Sequence, residues 1–241
     1  MGVYDRDWYR EDYKERNKIV SIDGYRDKKL AGFKPKKAPK GINSLLVIAI
    51  SFAAIAFAAR MYCGYCVTAG IIGANIVMFL LIFNGKISIY DTGASYFSTI
   101  LNKQYGRIIT AAFTQQEVFH LVCNVVSLYN AGRYVELLLG STLFLAVYVI
   151  IMLVGGYVSC LLHKHRGAAT VSIGASGVIC GIFGVYLSIA FCLYGAAAIR
   201  SVFPTLALLM LMTVNKRIDS IGHFTGLAVG LVLGFLLLKV M

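Results

Sequence analysis

Apolar residues gather in long runs along the second part of the chain, separated by short charged or polar joints. Seven of these runs approach the roughly 20 residues that a helix needs to cross the hydrocarbon core of a bilayer. They cover about 42–59, 67–83, 118–139, 142–162, 171–193, 195–214 and 221–240. The sixth carries Arg200 and Pro204. Proline is tolerated in a membrane helix where neighbours satisfy the freed carbonyl, so the run still counts as a span. The pattern predicts an all-α polytopic membrane protein.

The first forty residues are different, with 12 of the chain's 23 Lys/Arg, 7 of its 11 Asp/Glu, and no apolar run. They read as a solvated, disordered cytoplasmic tail over 1–40. The alternative is an interfacial helix through Tyr4, Trp8, Tyr9 and Tyr13, which interleave with charges. The charged segment is too long for a signal peptide, and Gly2 lacks the Ser/Thr of a myristoylation site. Residues 41–65 then form an extra hydrophobic helix with a short linker, and 66–241 the main helical core.

Composition agrees with the pattern. Of 241 residues 59% are hydrophobic and 14% charged, and mean hydropathy is +0.74, far outside the range of a soluble domain. The formal net charge of +12 is divided between tail and loops. It speaks for contact with a membrane surface and against nucleic acid as a partner.

Loop charges bear on topology. Lys34, Lys36, Lys37 and Lys40 abut the first apolar run, as a cytoplasmic flank does under the positive-inside rule. If all seven runs span, the loops with Lys86, Lys103 and Arg107, with Lys164 and Arg166, and with Lys216 and Arg217 share the side of the tail. If the first run lies in the interface or re-enters, those loops face the other way. Hydrophobicity favours seven spans, with the first two an antiparallel hairpin because the linker is short.

Cys63 and Cys66 have C-x-x-C spacing, yet no second pair completes a zinc site, even with His163 and His165 considered. They read as small apolar residues at a helix boundary, and Cys123, Cys160, Cys180 and Cys192 as packing residues. Neither a metal nor a cofactor is expected.

Polar side chains within the runs are few, and each needs a reason to be in lipid. Ser176 sits between Ala175 and Gly177, and His223 opens the last run; read together, they are a nucleophile and a base. Gly177, Gly181 and Gly184 near the serine, and Gly226, Gly230 and Gly234 after the histidine, form faces of small residues that let two helices approach closely. His120 and Asn124, four apart, share one helix face. They are either satisfied core residues or members of a polar cavity shared with the pair. Such a cavity needs access to water, because peptide hydrolysis consumes it.

Five ordered segments resemble the rhomboid intramembrane serine proteases. They are Tyr105-Gly106-Arg107 through Phe113, Phe119-His120-x-x-x-Asn124, Gly132-x-x-Val135-Glu136, Gly174-Ala175-Ser176-Gly177, and Asp219-x-x-x-His223-x-x-Gly226. The resemblance runs from about 68 to 240. It implies a six-helix rhomboid-like bundle preceded by the extra helix, and a Ser-His dyad without a carboxylate, Ser176 as nucleophile and His223 as base. It also implies an oxyanion held by the Ser176 amide, His120 and Asn124, with Arg107 and Glu136 in structural positions and Asp219 at a helix start. Substrates would be transmembrane proteins in the lipid bilayer, and the setting a bacterial-type cell membrane.

Three departures accompany the match. Gln115 stands where the family often has a histidine, Cys180 where an aromatic commonly packs on the catalytic histidine, and the Trp usual before the arginine is missing. His223 is then held less tightly, or by another ring such as Phe224 or Tyr186. Three readings compete: an active protease cutting single-span membrane proteins, a catalytically weak or inactive rhomboid-like protein that binds transmembrane clients, and a small transporter or channel. The last predicts paired carboxylates in the spans, and they are scarce. The intact pair favours the first.

Overall fold

The computed structural model describes residues 43–165, 171–195 and 219–239. Helix α1, Ser44–Arg60, opens on Asn43, whose side-chain oxygen accepts from the backbone N–H groups of Leu45 and Leu46 at 3.1 and 3.3 Å. This cap satisfies donors that would otherwise be orphaned at a helix start. A short turn reverses the chain into α2, Cys66–Phe83. The two pack antiparallel: a Cβ on Gly70 would meet Phe52 and Ala56, and one on Gly73 would run into Ile55. The expected hairpin is therefore present.

The start of α2 borrows its cap from a distant segment. Buried Glu136 accepts from the N–H groups of Val67 and Thr68 at 2.9 and 2.7 Å and from the Ser141 hydroxyl at 2.7 Å. Three donors offset the cost of keeping a carboxylate out of water, where one left alone would be strongly unfavourable.

After α2 the chain forms a folded loop on one face of the bundle, ending in α3, Gly106–Ala112. Arg107 organises it, its guanidinium reaching Gln104 Oε1 and the carbonyls of Tyr90 and Gly93. Next come α4, Val118–Ser127, and α5, Arg133–Leu139, joined by a wide π turn at Leu128–Gly132. Gly140 leads into α6, Ser141–Leu162, which carries a further π turn at Ile151–Gly155. The final described helices are α7, Ser176–Tyr194, and α8, Ser220–Leu237.

Among the described residues four helices are long and apolar enough to cross a membrane, α2, α6, α7 and α8, and α1 is a shorter apolar helix. Among the described residues there is no β-strand; an isolated antiparallel bridge joins Ala94 and Ser172. The molecule is an all-α, multi-pass integral membrane protein. The sixth apolar run and the tail, with its alternative interfacial helix, lie outside the described residues. The fifth run was expected from 171, but α7 begins at Ser176, because Ser172 exchanges backbone hydrogen bonds with Ala94 at 2.7 and 3.1 Å. Pairing keeps the chain around Ser172 out of the helix, and Gly174 and Ala175 then turn it so that the serine lies at the first turn of α7.

The core lies where α7 meets α8, α2 and the π turn of α6, around Ile71, Met78, Tyr148, Ile151, Ile179 and Ile182. Over the first turns of the α7–α8 contact backbone meets backbone directly, and further along the Ser188 hydroxyl donates to the Leu231 carbonyl at 3.0 Å. A Cβ on Gly226 would overlap the Gly177 carbonyl oxygen, and one on Gly230 the Gly181 carbonyl oxygen. Backbones at this distance meet through dispersion and Cα–H···O contacts, which is why the small-residue faces are there.

Candidate active site

Ser176 and His223 belong to different helices and face each other across that glycine contact. Both are buried, and His223 Nε2 lies 2.6 Å from Ser176 Oγ. A hydrogen bond of this length between a hydroxyl and an imidazole is the geometry needed for proton transfer from nucleophile to base. His223 Nδ1 has no hydrogen-bond partner among the described residues. Of the two rings expected as substitutes for an aromatic at Cys180, Phe224 is turned outward, 59% exposed, and Tyr186 packs as part of the core. The close glycine packing of α8 on α7 is what fixes the imidazole's position.

Gly174 precedes the serine with φ of 109°, a conformation that side chains rarely adopt. Its bare face also makes room for His120: a Cβ there would lie 2.7 Å from His120 Cε1 and 3.6 Å from Ser176 Oγ. His120 therefore sits beside the hydroxyl. Asn124, one turn along α4, is buried and donates from Nδ2 to Gln115 Oε1 at 2.8 Å. Gln115 Nε2 in turn donates to Asn75 Oδ1 at 2.9 Å, and Asn75 donates to the Ile71 carbonyl. Gln115 thus serves as a link that orients Asn124, using one amide hydrogen of Asn124 and leaving the other. Asn75 escaped the sequence reading, although an asparagine inside an apolar run was the available signal.

A second polar cluster adjoins the dyad and was not foreseen. Asp219 caps α8, its Oδ1 accepting from the Gly222 N–H at 3.0 Å. Its Oδ2 accepts from the Ser172 hydroxyl at 2.6 Å and from that of Ser159 at 3.4 Å. Buried His163 brings Nε2 to 2.9 Å from Oδ1, and its Nδ1 lies 3.3 Å from Ser172 Oγ. Burial pushes the Asp219 carboxyl up, but His163, Ser172 and the Gly222 N–H outweigh it and hold the group at about 2. One carboxylate so joins the start of the base's helix, the strand-like approach to the nucleophile and the end of α6.

A cavity of about 70 Å³ lies against the dyad, with Ala111, Gly155, Ser159, Ser172, Ser176 and His223 among its walls. That volume admits water, which hydrolysis requires. No group of His, Cys, Asp or Glu able to hold a metal ion occurs among the described residues. Cys63 and Cys66 are free thiols, bonded to the Ala59 carbonyl and near Ser141 Oγ respectively.

Comparison with known proteins bears on this arrangement. A family model described as the rhomboid domain matches residues 102–240. A putative rhomboid protease of Bacillus subtilis, YdcA, is 33% identical over 153 residues, 61% of this chain and 74% of that protein. The RHOMBOID-like protein 5 of Arabidopsis thaliana is 32% identical over 55% of this chain and 44% of its own length. Rhomboid protease GluP of Bacillus subtilis is 27% identical over 64% of this chain and 31% of its own. The chain thus spans about three quarters of the first of these relatives and less than half of the other two.

Proposed function

The chain belongs to the rhomboid family, and from that premise we propose that it is an intramembrane serine endopeptidase. It hydrolyses peptide bonds of single-span membrane proteins through a dyad of Ser176 and His223. The observation that carries the reading is the 2.6 Å approach of His223 Nε2 to a buried Ser176 Oγ. Ser176 Oγ attacks the scissile carbonyl carbon while its proton passes to His223 Nε2. The imidazolium then gives that proton to the leaving amine as the C–N bond breaks, leaving an acyl-serine. Water from the adjoining cavity, deprotonated by the same nitrogen, releases the acid and restores the hydroxyl.

The oxyanion of each tetrahedral intermediate is held by the Ser176 N–H, at the free amide end of α7, and by His120 and Asn124. Support comes from His120 beside the hydroxyl and from the amide hydrogen that Asn124 keeps free of Gln115. Each donor of this kind typically lowers the barrier by about 3 kcal/mol. Residues 66–241 are the catalytic core on this reading, and no cofactor enters the chemistry. The Bacillus relatives support a bacterial-type cell membrane as its setting.

One observation favours a second reading, a weak or inactive rhomboid that binds transmembrane clients: His223 Nδ1 has no hydrogen-bond partner among the described residues. An activity-based fluorophosphonate separates the two. The folded wild type is expected to label at Ser176, and Ser176→Ala and His223→Ala to lose labelling by at least about a thousandfold. A folded wild type that fails to label would favour client binding without cleavage.

A further inference from the structure

The path of the described helices places the active site relative to the membrane's two sides. Helix α1 begins on the same side as the dyad: a Cβ on Gly106, at the start of α3, would lie 3.4 Å from Leu45 Cδ1 in α1's first turn. Helix α3 in turn supports the nucleophile's approach, because Gly174 N–H donates to the Ala111 carbonyl at 2.9 Å. The end of α6, the start of α7 and the start of α8 meet on that side through His163, Ser172 and Asp219. The end of α1 lies on the other side with the start of α2 and the joint between α5 and α6, the last two tied by Glu136.

Counted along the sequence, basic residues fall unequally next to the helix ends on these two sides. Lys34, Lys36, Lys37 and Lys40 precede α1 within ten residues of its start. Lys86, Lys103 and Arg107 lie in the loop between α2 and α4, Lys164 follows α6, and Lys216 and Arg217 come just before Asp219. On the opposite side are Arg60 at the end of α1, Arg133 near the start of α2, and Lys239 after α8. Arg133 is enclosed there by the rings of Tyr65, Tyr129 and Tyr134, an aromatic cluster typical of a membrane–water boundary. Arg200 lies outside the described residues.

We infer that the site opens to the cytoplasmic side of the membrane. Short loops rich in Lys and Arg are retained where the chain is made, and the bias of loop charge sets overall orientation. Six helices starting at α2 would leave the tail opposite the active site; α1 brings both to one side. Resting on the protease reading for the cut itself, the inference defines the substrate class. Substrates are membrane proteins whose chain leaves the bilayer on the cytoplasmic side close to the scissile bond, the segment that can reach Ser176 from there.

Sidedness can be measured without activity. In the full chain with Cys63, Cys66, Cys123 and Cys192 each replaced by Ala, which leaves only the buried Cys160 and Cys180, single reporters Lys164→Cys and Tyr62→Cys sit on opposite faces, both positions exposed, Tyr62 by 91%. A membrane-impermeant maleimide on intact spheroplasts should label Tyr62→Cys and spare Lys164→Cys until the membrane is permeabilised. Labelling of Lys164→Cys in intact spheroplasts, alone or together with Tyr62→Cys, would overturn the inference and leave Ser176 reactivity untouched. Fluorophosphonate silence combined with the expected labelling pattern would instead sink the protease reading and keep the orientation.

Discussion

Asp219 makes the dyad's surroundings sensitive to acid. Its ionised carboxylate accepts on both oxygens at once, from Gly222 on one and from Ser172 and Ser159 on the other, and protonation removes the charge and turns one oxygen into a donor. A carboxyl at about 2 in the folded chain, against 3.8 ordinarily, contributes stability that is present in full above about pH 4 and is lost as pH falls toward 2. Thermal melting in detergent should therefore drop over that interval for the wild type, and Asp219→Asn should lose much of this acid dependence while melting lower at neutral pH. An unchanged acid profile in Asp219→Asn would show that the brace carries no stability. The brace was illegible in the sequence because its members, His163, Ser172 and Asp219, belong to three separate segments and each alone is an ordinary loop residue. Ser176 and His223 were legible for the opposite reason. Each is a polar residue in an apolar run, flanked by glycines whose spacing announced a close helix contact.

At the scale of elements, the distance between nucleophile and base is the distance between α7 and α8. Nothing but backbone separates them at Gly177 and Gly226, so one methyl group on α8 is enough to move the base. Gly226→Ala puts a Cβ into the Gly177 carbonyl. Relief requires the helices to part, at a typical overpacking cost of about 1–3 kcal/mol. A misplacement of about 1 Å commonly costs about a hundredfold in rate, so fluorophosphonate labelling should slow by that order. Gly64→Ala is the matched control, because its Cβ meets only the flexible end of Leu137 at 3.1 Å. Equal labelling rates for the two variants would remove helix spacing from the account. Helix ends were less legible than helix existence. The apolar run from 171 gave no hint that its first residues would pair with Ala94, a contact 78 residues away in sequence.

At the scale of the whole molecule, orientation is a competition among charged flanks, and α1 decides whether they agree. With α1 in place, the lysines before it and the basic loops around the active site pull toward one side. Deleting residues 44–61 would join those lysines to the start of α2, which lies on the opposite side, so tail and loops would then pull against each other. The Lys164→Cys reporter should become partly accessible in intact spheroplasts after that deletion. Deleting residues 1–40 removes one set of charges without creating the conflict. Lys86, Lys103 and Lys164 still lie on the side of the active site, opposite Arg60, Arg133 and Lys239, with Lys216 and Arg217 next to them in sequence before α8, and the reporter should stay protected. Losing α1 also bares Gly70 and Gly73, where Phe52 and Ile55 pack, so a fall in melting temperature is expected for the first deletion. A reporter that stays protected in both deletions would mean that the core loops alone set orientation and that α1 serves packing.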